Sequence, residues 1–346
     1  MNILLVSPTH MDIYKDVIAE LKRQGHYVDF TKTPILNSDP LSFTSYRRIS
    51  KYLVSEQYFS RKINKYWANL LAVPPYNKVY DVLFVIDGHG VRKILFDILK
   101  SRNRNLKTIN YLFDTTSGVY QFEKNFQYFD KIFSFDMCEV KKYGLSFLPI
   151  FWTPIEPLPK RLDFFGMGGY SPIRLALFSY IDRMSKQKNL TCYLRLFTRR
   201  IENFNLYKLK FKVRQMLNYP PHISPADYQS CYIVHESLSP DLFKKYIAQS
   251  RITIDTSAPH QVGMTARYMW ALGNGCKIMT TNLNAGKDGL AEDGQVYVVR
   301  DIEMLDNNAS FELFLTNEYK ESPEYREKRL PYRIDNWIKA IIGEKL

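Results

Sequence analysis

Short apolar runs recur along the chain, and each ends in small or polar residues that precede a helical pattern. The first run, Ile3 to Val6, ends at Ser7 and is followed by Ile13, Val17 and Leu21 at helical spacing. Further runs are Val82 to Ile86, Thr108 to Phe113, Lys131 to Phe135, Asp163 to Phe165, Cys192 to Phe197, Arg251 to Asp255, Cys276 to Thr280 and Gln295 to Val299. Buried strands that alternate with helices predict an α/β fold with doubly wound parallel sheets, which bind ligands at the carboxyl ends of their strands.

A proline cluster divides this series into two halves. Pro149, Pro154, Pro157 and Pro159 fall within eleven residues, a pattern typical of a connection between domains. Since 346 residues suit two domains, we expect an N-terminal domain over 1–152 and a second domain over 153–330. A final amphipathic helix, Tyr332 to Ile342, lies in the segment 331–346.

Four scattered cysteines and the absence of a long apolar run indicate the compartment. Cysteine pairs at metal-ligand spacing do not occur, so buried thiols in a reducing compartment are the expectation. The run at Ile3 is far shorter than a membrane-spanning helix needs, and no basic leader precedes it. These features predict a cytoplasmic protein without a membrane anchor.

The strongest candidate site lies between Arg251 and Asn282. A strand ending at Asp255 is followed by a loop of small residues that enters a helix at Thr265, with Arg267 in its first turn. Backbone N–H groups at such a helix start, together with a guanidinium group, suit a phosphate or diphosphate. The alternative is that Thr265 is a simple helix cap and Arg267 a solvated charge.

The glycines at Gly166, Gly168 and Gly169 form a second candidate. They follow a strand at the start of the second domain, where glycine lets a backbone approach a ligand closely, although a plain turn explains them equally well. The pattern differs from both the dinucleotide fingerprint and the P-loop.

Polar residues at the strand ends of the first half are candidate general bases. They are His10, after Ser7, then Asp87 with His89, then Asp114; Asp136 more plausibly caps a helix that ends at Gly144. A Gly-x-Ser-x-Gly motif and a cluster of metal ligands are both missing from the sequence, which disfavours a serine hydrolase and metal catalysis.

The net charge of +13 is concentrated in two segments that also contain aromatic residues. Arg47 to Lys65 has six bases and one acid, and Asp182 to Arg214 has ten bases and two acids. Such segments suit an anionic membrane surface or nucleic acid, and without a nucleic-acid motif the membrane is favoured. The strict alternation of Lys208 to Arg214 also permits an ordinary strand with one wet face.

Four runs of the chain resemble bacterial lipopolysaccharide and capsule biosynthesis proteins of the CgeB-like glycosyltransferase group. They are Tyr111 to Asp114, Tyr128 to Asp136, Lys141 to Pro149, and Ile254 to Asn282, the last of which includes His260-Gln261-Val262-Gly263-Met264-Thr265-Ala266-Arg267. The resemblance implies the GT-B architecture, in which two Rossmann-like domains face each other across a cleft. It further implies an acceptor site on the first domain, a nucleotide-sugar on the second, and a C-terminal helix that returns to the first domain.

The hypothesis that follows is a metal-independent glycosyltransferase that passes a sugar from a nucleotide-sugar to a growing surface glycan. In this hypothesis, the donor site comprises Gly168, Gly169, Asp255, His260, Gln261, Gly263, Met264, Thr265 and Arg267. The acceptor side comprises Ser7 and His10, with Asp87, His89 or Asp114 as the base. The nucleotide-sugar is a co-substrate, no other cofactor is expected, and the partners are a glycan or lipid-linked glycan and an anionic membrane rather than nucleic acid.

One residue departs from the pattern. Trp270 stands where related sequences tend to place a glutamate before Ala-Leu-Gly, so the carboxylate that binds the donor ribose in many retaining enzymes is missing. The stereochemistry therefore stays open. The rival reading is a non-catalytic two-domain protein that binds a nucleotide or a glycan, and an RNA-binding protein is a third.

Overall fold

The computed structural model describes residues 1–9, 12–34, 56–88, 90–115, 122–218, 223–257, 261–306 and 308–344. The chain divides into two compact units. Unit 1 comprises Met1–Phe151 together with Pro331–Leu346, and unit 2 comprises Trp152–Leu330. Unit 1 is therefore built from both ends of the chain.

Unit 1 contains a parallel sheet that has six strands among the described residues, in the order β2-β1-β3-β4-β5-β6. Its elements before the second unit are β1 (Asn2–Ser7), α1 (Ile13–Arg23), β2 (Tyr27–Lys32), α2 (Glu56–Ala72), β3 (Val82–Ile86), α3 (Lys93–Arg102), β4 (Lys107–Leu112), a 3-10 turn (Phe122–Tyr128), β5 (Lys131–Ser134), α4 (Met137–Tyr143) and β6 (Ser146–Phe147).

The core of unit 1 forms where β1 and β3 meet helices α2 and α3. Leu4 and Val85 point into a cluster that also holds Trp67 of α2 and Leu95 of α3. The Trp67 indole donates to the carbonyl of Gly90 at 2.8 Å, which satisfies its one polar group. Trp67 is thus a core residue, although it lies just beyond a basic segment with interleaved aromatics.

Unit 2 repeats the architecture, with a parallel sheet of six strands among the described residues in the order β12-β11-β10-β7-β8-β9. Its elements are β7 (Leu162–Gly169), α5 (Pro172–Gln187), β8 (Cys192–Phe197), α6 (Phe204–Met216), α7 (Pro225–Tyr228), β9 (Ile233–Val234), α8 (Pro240–Gln249), β10 (Ser250–Asp255), α9 (Ala266–Gly273), β11 (Lys277–Thr280), β12 (Val296–Val298), a 3-10 turn (Glu303–Leu305), α10 (Ala309–Thr316) and α11 (Pro323–Arg329). The predicted α/β fold with doubly wound parallel sheets is confirmed.

The last helix, α12 (Ile334–Ile342), belongs to unit 1. Its Trp337 is fully buried, with ring centroids 4.7 Å from Tyr111, 4.9 Å from Phe151 and 6.3 Å from Phe84. The indole N–H donates to the carbonyl of Pro149 at 3.0 Å. The C-terminal helix therefore completes the core of unit 1.

Among the local predictions, the cap at Asp136 holds, the buried thiols hold in part, and two alternative interpretations are wrong. Asp136 caps α4, which ends at Gly144 in the left-handed conformation, as expected. The glycines 166, 168 and 169 lie in β7, which runs to Gly169, and not in a turn. The alternating stretch 208–214 is helical, because Asn203 caps α6 and aromatic residues repeat at helical spacing behind it. Finally, Cys276 is buried as predicted, but Cys138 and Cys231 are exposed.

Candidate functional site

The candidate site of unit 2 lies where the strand order reverses. β7 leads to β8 and β9 on one side, whereas β10 leads to β11 and β12 on the other. In sheets of this kind ligands bind in the crevice outside the strand ends at that point. Gly168 and Gly169 end β7, and Asp255 and Thr256 lie at the end of the neighbouring β10.

Asp255 is the buried centre of this region. Its side chain is 1% exposed. One oxygen, Oδ1, accepts from Thr265 Oγ1 at 2.7 Å and from Arg267 Nη1 at 3.1 Å, and Oδ2 accepts from Thr280 Oγ1 at 3.1 Å. Asp255 therefore orients the side chains of Thr265 and Arg267, and its carboxylate is enclosed by its three partners.

Thr265 caps α9 as predicted, since its hydroxyl accepts from the backbone N–H of Tyr268 at 3.1 Å. The same hydroxyl donates to Asp255, so cap and carboxylate form one network. This arrangement fixes the positive end of α9 at the switch point of the sheet.

Arg267 is a buried ion-pair partner and not a solvated charge. Its side chain is 12% exposed, and its Nε is buried with no hydrogen-bond partner among the residues described. Burial lowers the pKa of Arg267, while Asp255 opposes that shift. The Arg267 guanidinium therefore retains one unused N–H donor, at Nε.

Arg174, at the start of α5, is a site residue that sequence reasoning missed. Its Nε donates to Thr256 Oγ1, its Nη1 to the carbonyl of Gly169, and its Nη2 to the carbonyl of Thr256 at 3.1 Å. The guanidinium thus bridges the ends of β7 and β10. Burial, and then the charge of Arg267, lower the pKa of Arg174 to about 10, so it stays protonated at neutral pH.

The three glycines of β7 differ in what an added side chain would meet. A Cβ on Gly168 would lie 2.8 Å from the Arg174 guanidinium carbon, whereas a Cβ on Gly169 would meet nothing within 4 Å. On Gly166 it would lie 2.7 Å from the Phe178 ring. Gly168 therefore leaves space for the guanidinium, and Gly166 leaves space for helix packing.

The loop before α9 is held by Asn282, which sequence reasoning also left out of the site. Its amide donates to the carbonyls of Val262 and Gly263 at 3.3 and 3.2 Å. Gln261 Nε2 donates to the carbonyl of Gly263 at 3.1 Å, and Met264 is half-buried beside it. His260 lies outside the described residues.

We call Arg174, Asp255, Thr256, Thr265 and Arg267 the diarginine site. It places two guanidinium groups beside one buried carboxylate at the start of α9: Asp255 pairs with Arg267, and among the described residues no carboxylate pairs with Arg174. A half-buried cation without a carboxylate partner has lost part of its hydration, so an anion that enters here can form charge-assisted hydrogen bonds with it. The signal in the sequence was the first helical turn after β7, where Arg174 stands three residues beyond the Ser171 cap.

Trp270 lies in the core of unit 2. It is 2% exposed and packs edge-on against Phe243 at 5.9 Å between ring centroids. Its position on α9 thus serves packing.

In unit 1, Asp87 and Asp114 meet at the ends of β3 and β4. Asp87 has a positive φ of 60°, and its Oδ1 accepts from the backbone N–H groups of Phe113 at 2.7 Å and Asp114 at 3.0 Å. Burial, and then the charge of Asp114, raise the pKa of Asp87 to about 7. Asp114 itself is exposed.

Ser7 ends β1 at the same edge of the sheet, because Val6 pairs with Val85 of β3. It is buried, and its hydroxyl donates to the carbonyl of Pro8 at 2.9 Å. His10 and His89, the other predicted residues of this edge, lie outside the described residues.

Unit 2 also has a groove of about 550 Å³ beside α5. Ile173, Tyr180 and Arg183 of α5 line it on one side, and Arg300 and Asp306 lie among the residues on the other. Ile173, which lines the groove, is adjacent to Arg174 in the sequence. Within the described ranges, the structure brings together no group of three His, Cys, Asp or Glu side chains that could hold a metal ion. Among the helices the structure describes, none has the length and apolar character to cross a membrane.

Solved structures with the same arrangement span nearly the whole chain. A UDP-GlcNAc 2-epimerase from Neisseria meningitidis, bound to UDP-GlcNAc, has a TM-score of 0.52 at 12% identity and covers 99% of both chains. A trehalose 6-phosphate synthase from Burkholderia multivorans has a TM-score of 0.53 at 11% identity, with 99% and 97% covered. An α-glucosyltransferase in complex with UDP and DNA has a TM-score of 0.52 at 11% identity, with 99% and 95% covered.

These likenesses show the fold, which is GT-B. No protein-family model and no curated protein matches the chain. The resemblance to the CgeB-like group therefore stays a prediction.

Proposed function

We propose that this protein is a glycosyltransferase that binds the phosphate groups of a nucleotide-sugar at the diarginine site. The observation that carries the proposal is the pair of neighbouring guanidinium groups, Arg174 and Arg267, beside the single buried carboxylate of Asp255, which pairs with Arg267. The solved structures that share the fold include proteins bound to UDP or UDP-GlcNAc, which supports this class of ligand.

In the proposed reaction, an acceptor hydroxyl oxygen bonds to the anomeric carbon of the donor sugar. The bond between that carbon and the phosphate oxygen breaks, and the leaving nucleotide takes the electron pair. Arg174, Arg267 and the N-terminus of α9 stabilise the negative charge that develops on the phosphate. Two cations and a helix end already supply the positive charge that a metal ion would otherwise provide. We therefore propose that transfer does not need a metal ion, and that addition of EDTA leaves the rate unchanged.

The acceptor proton needs a base, and Asp87 is our first candidate in unit 1. A carboxylate whose pKa lies near 7 is well matched to accept a proton at neutral pH. Asp114 is the second candidate, because it is exposed and its backbone is held by Asp87. His89 stays a sequence-based candidate.

For the acceptor, we propose a bacterial surface glycan such as lipopolysaccharide, capsule or exopolysaccharide. This part rests on the resemblance of 111–149 and 254–282 to the CgeB-like group. We accordingly propose that the protein works in the cytoplasm at the inner face of the membrane, where lipid-linked acceptors are extended.

The test is direct binding of UDP-, GDP-, CMP- and dTDP-sugars by calorimetry, followed by transfer to a panel of glycan acceptors. Arg174→Ala should weaken binding of the preferred donor by about 10- to 100-fold, since a charge-assisted hydrogen bond contributes about 1.5–3 kcal/mol. Arg174 is the better position for substitution, because Arg267→Ala would strand the buried Asp255. Arg161→Ala removes an exposed arginine of the same unit and should leave binding unchanged.

Equal affinity of wild type and Arg174→Ala for every donor would contradict the phosphate assignment. Binding without transfer or hydrolysis across the acceptor panel would instead support a non-catalytic nucleotide- or glycan-binding protein. Conversion of UDP-GlcNAc to its 2-epimer, followed by NMR, would support an epimerase, an activity named for one of the similar structures.

A further inference from the structure

Helix α6 (Phe204–Met216) stands out from the body of unit 2. Only its aromatic residues Phe204, Tyr207 and Phe211 are half-buried, and its other side chains are exposed. The aromatic residues repeat at helical spacing and face inward, where Phe204 stacks on Tyr228 with 5.3 Å between ring centroids. The Tyr207 hydroxyl donates to the carbonyl of Ile223. One face of α6 is thus anchored to unit 2.

The opposite face carries an apolar stripe. Leu206, Leu209, Val213, Met216 and Leu217 follow the i, i+3, i+7, i+10, i+11 spacing, which places them on one side of the helix. Leu209 is 60% exposed, Leu217 69% and Met216 85%. Exposed large apolar residues that line up along one face indicate a surface that binds something, since single ones are ordinary but contiguous ones are not.

Basic residues flank the stripe on both sides. At 100° per residue, Lys210 and Arg214 fall along one edge of the stripe and Lys208 and Lys212 along the other. All four are exposed, and α6 contains no acidic residue in its sequence. An apolar face between two rows of cations suits an interface where the apolar face enters the acyl region and the cations stay at the headgroups.

We propose that α6 docks unit 2 onto the surface of an anionic lipid bilayer. The boundary between headgroups and acyl chains takes up Leu209, Met216 and Leu217. The four basic side chains contact anionic headgroups. Charge complementarity selects this occupant over a second copy of the chain, because two copies of α6 would bring eight cations together. The lipid surface is also favoured over RNA, because RNA phosphates would pair with the basic side chains and leave the apolar stripe in water.

The second basic segment presents a different face from the one that its sequence indicates. The aromatic residues of α6 do not face outward with the cations, since Phe204 and Tyr207 pack against Tyr228 and Phe211 packs against Tyr207. The aliphatic residues between the lysines form the outer face. Residues 47–55 of the first basic segment lie outside the described residues.

Vesicle flotation tests the proposal with the full-length protein. Vesicles of phosphatidylcholine with 30% phosphatidylglycerol should carry the protein to the top of the gradient, and vesicles of phosphatidylcholine alone should carry at least about tenfold less. Raising NaCl from about 0.1 to about 0.5 M should reduce the floated fraction, because salt screens the headgroup charge.

Two variants separate the contributions of the helix. The quadruple variant K208Q/K210Q/K212Q/R214Q should lose at least about tenfold in binding to the anionic vesicles. The triple variant L209S/M216S/L217S should lose binding while it retains every charge. The matched control K107Q/K141Q/K287Q/K320Q removes the same total charge from exposed positions elsewhere and should float like wild type.

The outcomes decide the proposal. Equal loss in the matched control would show that net charge and not α6 binds the vesicles, and retained flotation of both α6 variants would overturn the proposal. Concentration-dependent dimerisation of wild type that the triple variant abolishes, without vesicle binding, would assign the stripe to self-association instead. Tight RNA binding that the quadruple variant loses, again without flotation, would assign it to RNA.

Neither α6 variant touches the unit 2 core, so thermal unfolding should match wild type and exclude misfolding as the cause of lost flotation. The experiment uses vesicles without nucleotide-sugar or acceptor. The membrane inference can therefore fail while the donor assignment holds, and the reverse is equally possible.

Discussion

Asp87 is the residue whose ionisation most directly links the stability of unit 1 to the proposed base. Its pKa is raised by burial and by Asp114 to about 7, above the value of an unfolded chain. A carboxyl with a raised pKa favours the folded state while it is protonated, and this contribution is lost as the pH rises through about 7. Wild type should lose up to about 4 kcal/mol of unfolding free energy between about pH 4 and pH 7 from this group alone.

Asp87→Asn removes that titration. Urea unfolding at pH 4 to 8 should show a decline for wild type that is absent from the variant, so the variant gains relative stability as the pH rises. Asp114→Asn is the matched control: it removes the neighbouring charge, which should move the decline to lower pH without abolishing it. Parallel stability profiles for wild type and Asp87→Asn would contradict the assignment.

Gly168 supports a second prediction at the level of single atoms. A Cβ added at this position would lie 2.8 Å from the Arg174 guanidinium carbon, so Gly168→Ala must displace the guanidinium from Thr256. Donor affinity should fall by about tenfold, equivalent to about 1.4 kcal/mol, when measured by calorimetry. Gly169→Ala adds the same methyl group one residue later, where nothing lies within 4 Å, and should bind donor like wild type.

If the two variants lose affinity equally, the packing of Arg174 on Gly168 is not what the site requires. The pair is informative because both glycines end the same strand. Neither has a positive φ, so alanine strains neither backbone.

At the scale of elements, caps and strand ends were predictable because they depend on residues close in sequence. The start of α9 at Thr265 follows from one hydroxyl and the N–H three residues on. Arg174 was not predictable as a site residue, because its partners are Gly169 and Thr256, and Thr256 reaches it only through the pairing of β7 with β10. Long-range strand pairing is invisible in a local pattern.

Helix α6 shows how a local pattern can mislead. Lysines at every second position from 208 to 212 have the period of a strand, and that period predicts alternating faces. In the helix they fall on two edges instead, because Phe204, Tyr207 and Phe211 pack inward at helical spacing. The aliphatic residues, which alternation assigns to a strand's dry face, become the exposed stripe.

At the scale of the whole molecule, the sheet order places the candidate residues of each unit at a switch point. In unit 1, β1 and β3 meet there and bring Ser7 and Asp87 to one edge. In unit 2, β7 and β10 do the same for Gly168 and Asp255. The sequence predicted these strand ends individually, whereas the order of strands, which comes from the packing of the full chain, groups them into sites.

The path of the chain makes a final prediction about unit 1, which the C-terminal helix α12 completes. Trp337 is fully buried against Tyr111 and Phe151, and its indole donates to Pro149. Trp337→Ala should lower the free energy of unfolding by about 3–5 kcal/mol, because it opens a large cavity and leaves a buried carbonyl unpaired. Urea unfolding gives the magnitude, and amide hydrogen exchange locates it: protection should fall in β3 and β4 of unit 1.

Lys339→Ala, on the same helix, changes a half-buried side chain and should stay within about 0.5 kcal/mol of wild type. Donor binding should persist in Trp337→Ala under conditions where the protein stays folded, because Arg174 and Arg267 belong to unit 2. A loss below about 1 kcal/mol, or exchange that rises in β10 and α9 instead of β3 and β4, would show that the last sixteen residues of the chain do not stabilise the unit to which their contacts assign them.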